Sequence, residues 1–172
     1  MWTKPTNEEF PAYYGKYIDL VSERSLEDTL IKHLENTTAL LSDVSETQAN
    51  YRYALGKWTL KEVIGHIADT ERIMSYRILR IARGDQTPLA GYDDEQYVKE
   101  ALFHSRSFPD LLEEYSTVRH STLSLVRGLS EVVRDRKGIA NNSEISVSAL
   151  AYIIAGHELH HVKIIKDKYL NG

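Results

Sequence analysis

Four long segments of this chain repeat their apolar residues at steps of three and four, the period of a helix with one buried face. The first runs from about Ser25 to Ser42, opening on "SLED", and carries Leu26, Leu30, Ile31, Leu34, Leu40 and Leu41. The second runs from Thr59 to Arg83. Its "TLKE" has the form of a capping box, and Gly84 is a natural stop. The third starts at Ser107, with Pro109 in its first turn, and ends at Gly128. The fourth follows Ser146 and reaches about Leu170, with lysines near its C-terminal end.

The connections constrain how these helices assemble. Residues 84–106 join the second to the third through "RGDQTPLAGYDDEQ" and a short amphipathic piece near 93–102. That is longer than antiparallel neighbours need, and long enough to cross the bundle so that the two helices run parallel. "YRYALGKW" ahead of the second helix reads as a short strand or a strapped-down loop. The expected fold is all-α: a four-helix bundle, up-down-down-up, with a long crossover between helices two and three. One domain is expected over residues 1–172, its first 20 residues packing on the bundle as an extension.

The fourth helix contains "AGHELHHVKII", three histidines in five positions. His157 and His161 lie one turn apart and about 40° apart around the axis, so both imidazoles can reach one ion from the same side. Ile153, Ile154, Ile164 and Ile165 give that face an apolar setting. His160 falls nearer an edge, in the second shell or partly exposed. HxxxH alone is a weak metal signal, because many half-buried histidines are satisfied by a carbonyl or carboxylate. His66, in "VIGHIAD" of the second helix, strengthens it. It lies roughly 10 Å from the start of its helix, and His161 roughly 13 Å from the end of its own, so antiparallel packing brings all three to similar height. Gly65 leaves room there for a close neighbour. His33, His104 and His120 show no such relation and read as surface or structural residues.

"GKWTLKEVIGHIADTERIMSYRILRIARGD" together with "IAGHELHHVKIIKDKYL" resembles the DinB/YfiT-like superfamily, over about residues 20–170. The resemblance implies a small bundle with helices two and three parallel and two and four antiparallel. It implies a divalent metal held by His66, His157 and His161, matching the family's pattern of one histidine in the second helix and HxxxH in the last. It further implies either transferases that use a low-molecular-weight thiol such as bacillithiol or mycothiol, or metal-dependent hydrolases. The leading expectation is a metal-dependent transferase that activates a thiol cosubstrate. A hydrolase using metal-activated water and a non-enzymatic metal-binding bundle are the alternatives.

Three imidazoles leave a coordination position for water or substrate, as catalytic sites do. They suit zinc, nickel, copper and iron alike, with zinc or nickel expected first. The chain has no cysteine, so any thiol would have to arrive as a cosubstrate. Glu62 and Asp69 are placed to orient the His66 ring, and Glu158 either does the same for His157 or faces solvent. Glu71, Arg72 and Arg80 read as a solvated helix face, and Trp58 and Tyr92 as packing. Net charge is −4, from 21 basic and 25 acidic residues with the signs interspersed, so nucleic acid is not expected as a partner. No apolar run is long enough to span a membrane, and the start lacks the run of a signal peptide, so the expected location is cytoplasmic. A small-molecule substrate is expected. Small bundles often pair, but no sequence feature demands a homodimer.

Overall fold

A computed structural model describes residues 2–22 and 25–170. Its elements are α1 (Gly15–Ile18), α2 (Leu26–Leu41), α3 (Glu46–Ala49), α4 (Leu60–Ala82), α5 (Asp94–Ala101), α6 (Phe108–Arg127) and α7 (Glu131–Arg134), then strands β1 (Lys137–Ala140) and β2 (Ser143–Ser146), then α8 (Val147–Ile164). Three-residue 3-10 turns precede α1 and α6, and a π-helical turn, Ile165–Leu170, extends α8.

The long helices start where the sequence places their caps. Thr59 accepts from the Glu62 amide at 3.2 Å, and the Glu62 carboxylate accepts from the Thr59 amide at 2.6 Å. Ser107 of α6 and Ser146 of α8 cap from one side only, accepting from the Asp110 and Ala149 amides. After α4 the chain leaves through Gly84 at φ +82°, a conformation that suits glycine.

Cross-helix bonds give the directions. Glu71 meets Arg119 and Ser75 meets Thr122, so α4 and α6 run parallel. His66 and Met74 of α4 face His157 and Ile153 of α8 across one cavity, so those helices are antiparallel. The Leu30 carbonyl accepts from Arg119 while Glu27 pairs with Arg127, so α2 opposes α6. The bundle is therefore up-down-down-up, with the crossover that the sequence implied.

The crossover is tethered rather than free. Its Leu89 amide donates to the Ile139 carbonyl and its carbonyl accepts from the Asn141 amide, both at 2.9 Å. The receiving edge is an antiparallel β1–β2 hairpin, an element absent from the helical pattern of the sequence. Asn141 and Asn142 form its two-residue turn, both at positive φ, the backbone of a type I′ turn. "YRYALGKW" is a loop, not a strand.

The N-terminal segment contributes to the core. Trp2, Phe10, Ile18 and Val21 are all buried. Gly156 makes this possible: a Cβ there would stand 2.0 Å from the Tyr17 carbonyl oxygen, so only glycine lets α1 lie directly on α8. Gly65 does the same for Phe103 of the crossover, whose ring would be 2.3 Å from an added Cβ.

Candidate metal centre

His157 and His161 project from successive turns of α8 toward His66 on α4. The Nε2 atoms of His66 and His157 are 3.0 Å apart, and those of His157 and His161 are 3.1 Å apart. Each residue offers one nitrogen to a group lying within 4.8 Å overall. Ligands at about 2.05 Å from a zinc-like ion stand about 2.9 Å apart in octahedral and about 3.4 Å apart in tetrahedral arrangement. The two close spacings fit that range.

Hydrogen bonding does not account for the cluster as well as a cation does. An imidazole Nε2 has one in-plane site, which carries either a proton or a lone pair. The His157 Nε2 faces two other nitrogens and can serve only one of them. Burial lowers the affinity of all three rings for protons, to about 4 for His66 and about 3 for His161, and well below the usual value for His157. Near neutral pH the rings are uncharged, and three convergent lone pairs suit a cation.

Two cavities open beside the cluster. One, of about 210 Å³, is lined by His66 and His157 together with Tyr17, Thr70, Arg77 and Tyr92. The other, of about 180 Å³, is lined by His161 with Trp58, Tyr53, Val63, Ile164 and Tyr169. Trp58 and Tyr92, expected to be packing residues, thus form walls of the site. The Trp58 ring lies 4.7 Å from that of His66, and the Tyr92 hydroxyl bonds to Thr70 at 2.9 Å. Burial raises the Tyr92 and Tyr14 hydroxyls above the ordinary phenol range, so both remain protonated donors. Tyr17 presents its ring edge-on to His157 and His160 at 5.3 and 5.4 Å. Nothing in the sequence pattern joined the N-terminal extension to this site. His160 is half-buried beside His161, outside the convergent set, as its edge position implied.

The carboxylates expected to orient the histidines do not do so. Glu62 is held by the α4 cap and by Arg52 at 3.1 Å, and Asp69 pairs with Arg72 at 3.4 Å. Glu158 neither faces solvent nor meets His157. It points away into the bundle, 1% exposed, forms an ion pair with Arg119 at 2.7 Å, and accepts from Thr37 at 2.7 Å and the Tyr115 hydroxyl, with His33 Nδ1 at 3.6 Å. Glu71 is buried too, taking two 2.8 Å bonds from Arg119. The solvated-face reading holds for Arg72, which is exposed, and Arg80 pairs with Asp85 near the end of its helix. It fails for Glu71 and Glu158 because one arginine, fully buried between three helices, requires counter-charge. His33 has a structural role in that cluster, and His104 and His120 are exposed.

A model of the DinB superfamily matches residues 29–165, most of the chain. The chain belongs to the DinB superfamily. Two proteins from Oceanobacillus iheyensis, each named a putative metal-dependent hydrolase, are 26% identical to it. One aligns over 83% of this chain and 84% of its own length, the other over 91% and 92%. The solved structure of YfiT from Bacillus subtilis, described as a probable metal-dependent hydrolase with an unusual four-helix bundle topology, matches with a TM-score of 0.71. That match covers 96% of this chain and 91% of YfiT at 18% identity, which establishes a shared fold. Among the described residues no helix is long and apolar enough to cross a membrane.

Proposed function

We propose that this DinB-superfamily chain is a metal-dependent hydrolase of a small-molecule substrate, with His66, His157 and His161 as the ligands of one divalent ion. The carrying observation is the convergence of three uncharged imidazole nitrogens beside a cavity large enough for a reactant. A divalent ion at that point supplies Lewis acidity, activating water or polarising a carbonyl. The chain's own groups do the rest. The Tyr92 hydroxyl, steadied by Thr70, is a donor for a developing oxyanion. Tyr17 and Trp58 shield the histidines from bulk water, which strengthens every polar interaction inside. Zinc and nickel both suit the ligands.

The second reading, transfer to a low-molecular-weight thiol, is favoured by the second cavity. His161 borders a largely aromatic-walled space, with Lys57 and Glu95 also in its lining, apart from the one that His66 and His157 border, which gives two reactants separate approaches. A chain without cysteine would need such a cosubstrate.

Elemental analysis of the purified protein, beside His66→Ala, His157→Ala and His161→Ala, tests the site. Near-stoichiometric metal in the parent and loss in each variant is expected; metal-free parent protein refutes it. Turnover of an ester and amide panel with and without added thiol then separates the readings. Cleavage without thiol supports hydrolysis, and strict dependence on thiol replaces it with transfer.

A further inference from the structure

Arg77 lies eleven residues after His66 on α4. Three turns bring it back to within about 20° of the same face, about 16 Å along the axis. Its side chain leans toward the helix N-terminus, as helical side chains do, and Nη1 reaches Met74 Sδ at 3.6 Å. Nη2 donates to the Ala90 carbonyl of the crossover at 2.8 Å. The residue is only 2% exposed, yet among the described residues no carboxylate pairs with it.

The contrast with Arg119 is informative. That guanidinium is also buried, and it is held by both Glu71 and Glu158. A buried cation without a counter-ion is costly, and the cost is recovered when an anion arrives. Of the five N–H donors of Arg77, one serves a carbonyl and one a weakly accepting sulfur. The others remain for a carboxylate, whose two oxygens match the guanidinium fork. Arg77 lines the same cavity as His66 and His157, and the Tyr92 ring lies against its guanidinium at 5.9 Å. Asp94 also lines the cavity but is exposed and does not pair with Arg77. Lys16, a second cation there, is exposed and sits over the Tyr17 ring.

We propose that Arg77 binds the carboxylate end of a small linear substrate whose reacting group lies at the His66–His157 end of the cavity. The separation is on the order of 10 Å, from the helical rise less the reach of the arginine. This deepens the hydrolase reading and rests on it for the position of the reacting group.

The test is calorimetric titration of metal-loaded and metal-free protein with linear hydroxamic acids of graded length. Each carries at its far end a carboxylate, a methyl ester or a phosphonate. In the metal-loaded parent, the best carboxylate should bind about 10- to 100-fold tighter than its ester. Arg77→Met should abolish that advantage and leave ester binding and metal content unchanged. Arg77→Lys, which keeps the charge without the fork, should retain part of it and serves as the test if Arg77→Met does not fold. Failure of the metal reading has its own signature: metal loading no longer changes hydroxamate affinity, while the Arg77-dependent advantage of the acid persists in metal-free protein. The proposal is overturned if no length shows an advantage for the acid or if the advantage survives in Arg77→Met. It is also overturned if ester and acid weaken equally, which would make Arg77 only a tether for the crossover. A clear preference for the phosphonate overturns the carboxylate assignment in favour of a phosphate group.

Discussion

Replacing Glu158 by glutamine removes one negative charge from the buried cluster behind the histidines while keeping nearly the same shape. Burial alone would push this carboxyl up, but Arg119, followed by His33 and Tyr115, pulls harder and holds it at about 2, against 4.5 for a free glutamate. A lowering of about 2.5 units, at 1.36 kcal/mol each, amounts to about 3 kcal/mol of folding stability. Breaking a buried ion pair by removing one partner typically costs about 3–5 kcal/mol, a second route to the same size. The lower end applies, because Glu71 keeps both of its bonds to Arg119. For a chain of this length, about 3 kcal/mol corresponds to a fall of about 6–12 °C in Tm. The sign with pH follows from the lowered value. Between pH 4.5 and 2 the unfolded chain binds the proton first, so the contribution is complete above about 4.5 and is lost as pH falls toward 2. The assay is urea unfolding of parent and Glu158→Gln protein, with a chelator present, from pH 7 to pH 3. Titration of His66, His157 and His161, which Glu158 does not face, is common to both proteins and cancels in the difference. The gap should be about 3 kcal/mol at pH 7 and less than half that at pH 3. A gap below about 1 kcal/mol at pH 7, or one that stays constant with pH, refutes the reasoning. Metal content should not change, because Glu158 faces away from the three nitrogens.

Two further outcomes follow from the same contacts. Gly156→Ala sets a methyl 2.0 Å from the Tyr17 carbonyl oxygen and must push α1 off α8. The helix-propensity gain of about 1 kcal/mol is outweighed, for an expected net loss of about 1–3 kcal/mol and weaker metal retention; a variant as stable as the parent by thermal melting would contradict the close packing. Burial keeps His66 and His161 uncharged down to about pH 4 and 3, whereas unfolded histidine takes up a proton near 6.5. Metal-free protein should therefore be most stable above pH 6.5 and lose stability progressively below it, with a shallower slope in His66→Ala. A flat melting temperature from pH 7.5 to 5 would show that these rings are not buried as described.

The four long helices, their caps and the parallel second and third helices were legible in the sequence, because amphipathic period, capping residues and connection length are local signals. The grouping of His66 with His157 and His161 was legible too, since helix geometry converts sequence spacing into height and facing. Arg77 could have been found by the same arithmetic, being three turns from His66 on one face. The β1–β2 hairpin was not: its strands are four residues long, and the crossover that pairs with it lies some fifty residues earlier. Nor could the pattern say that Glu71 and Glu158, which look like ordinary solvated helix residues, turn inward. That was decided by a single arginine on a third helix, whose burial demands charge from whichever neighbours can reach it. Likewise only the tertiary structure joins Tyr17 to the histidines, through a glycine whose missing side chain lets two backbones touch. Spacing along one helix is set by the chain itself; which charges and rings meet across helices is set by the packing of all of them at once.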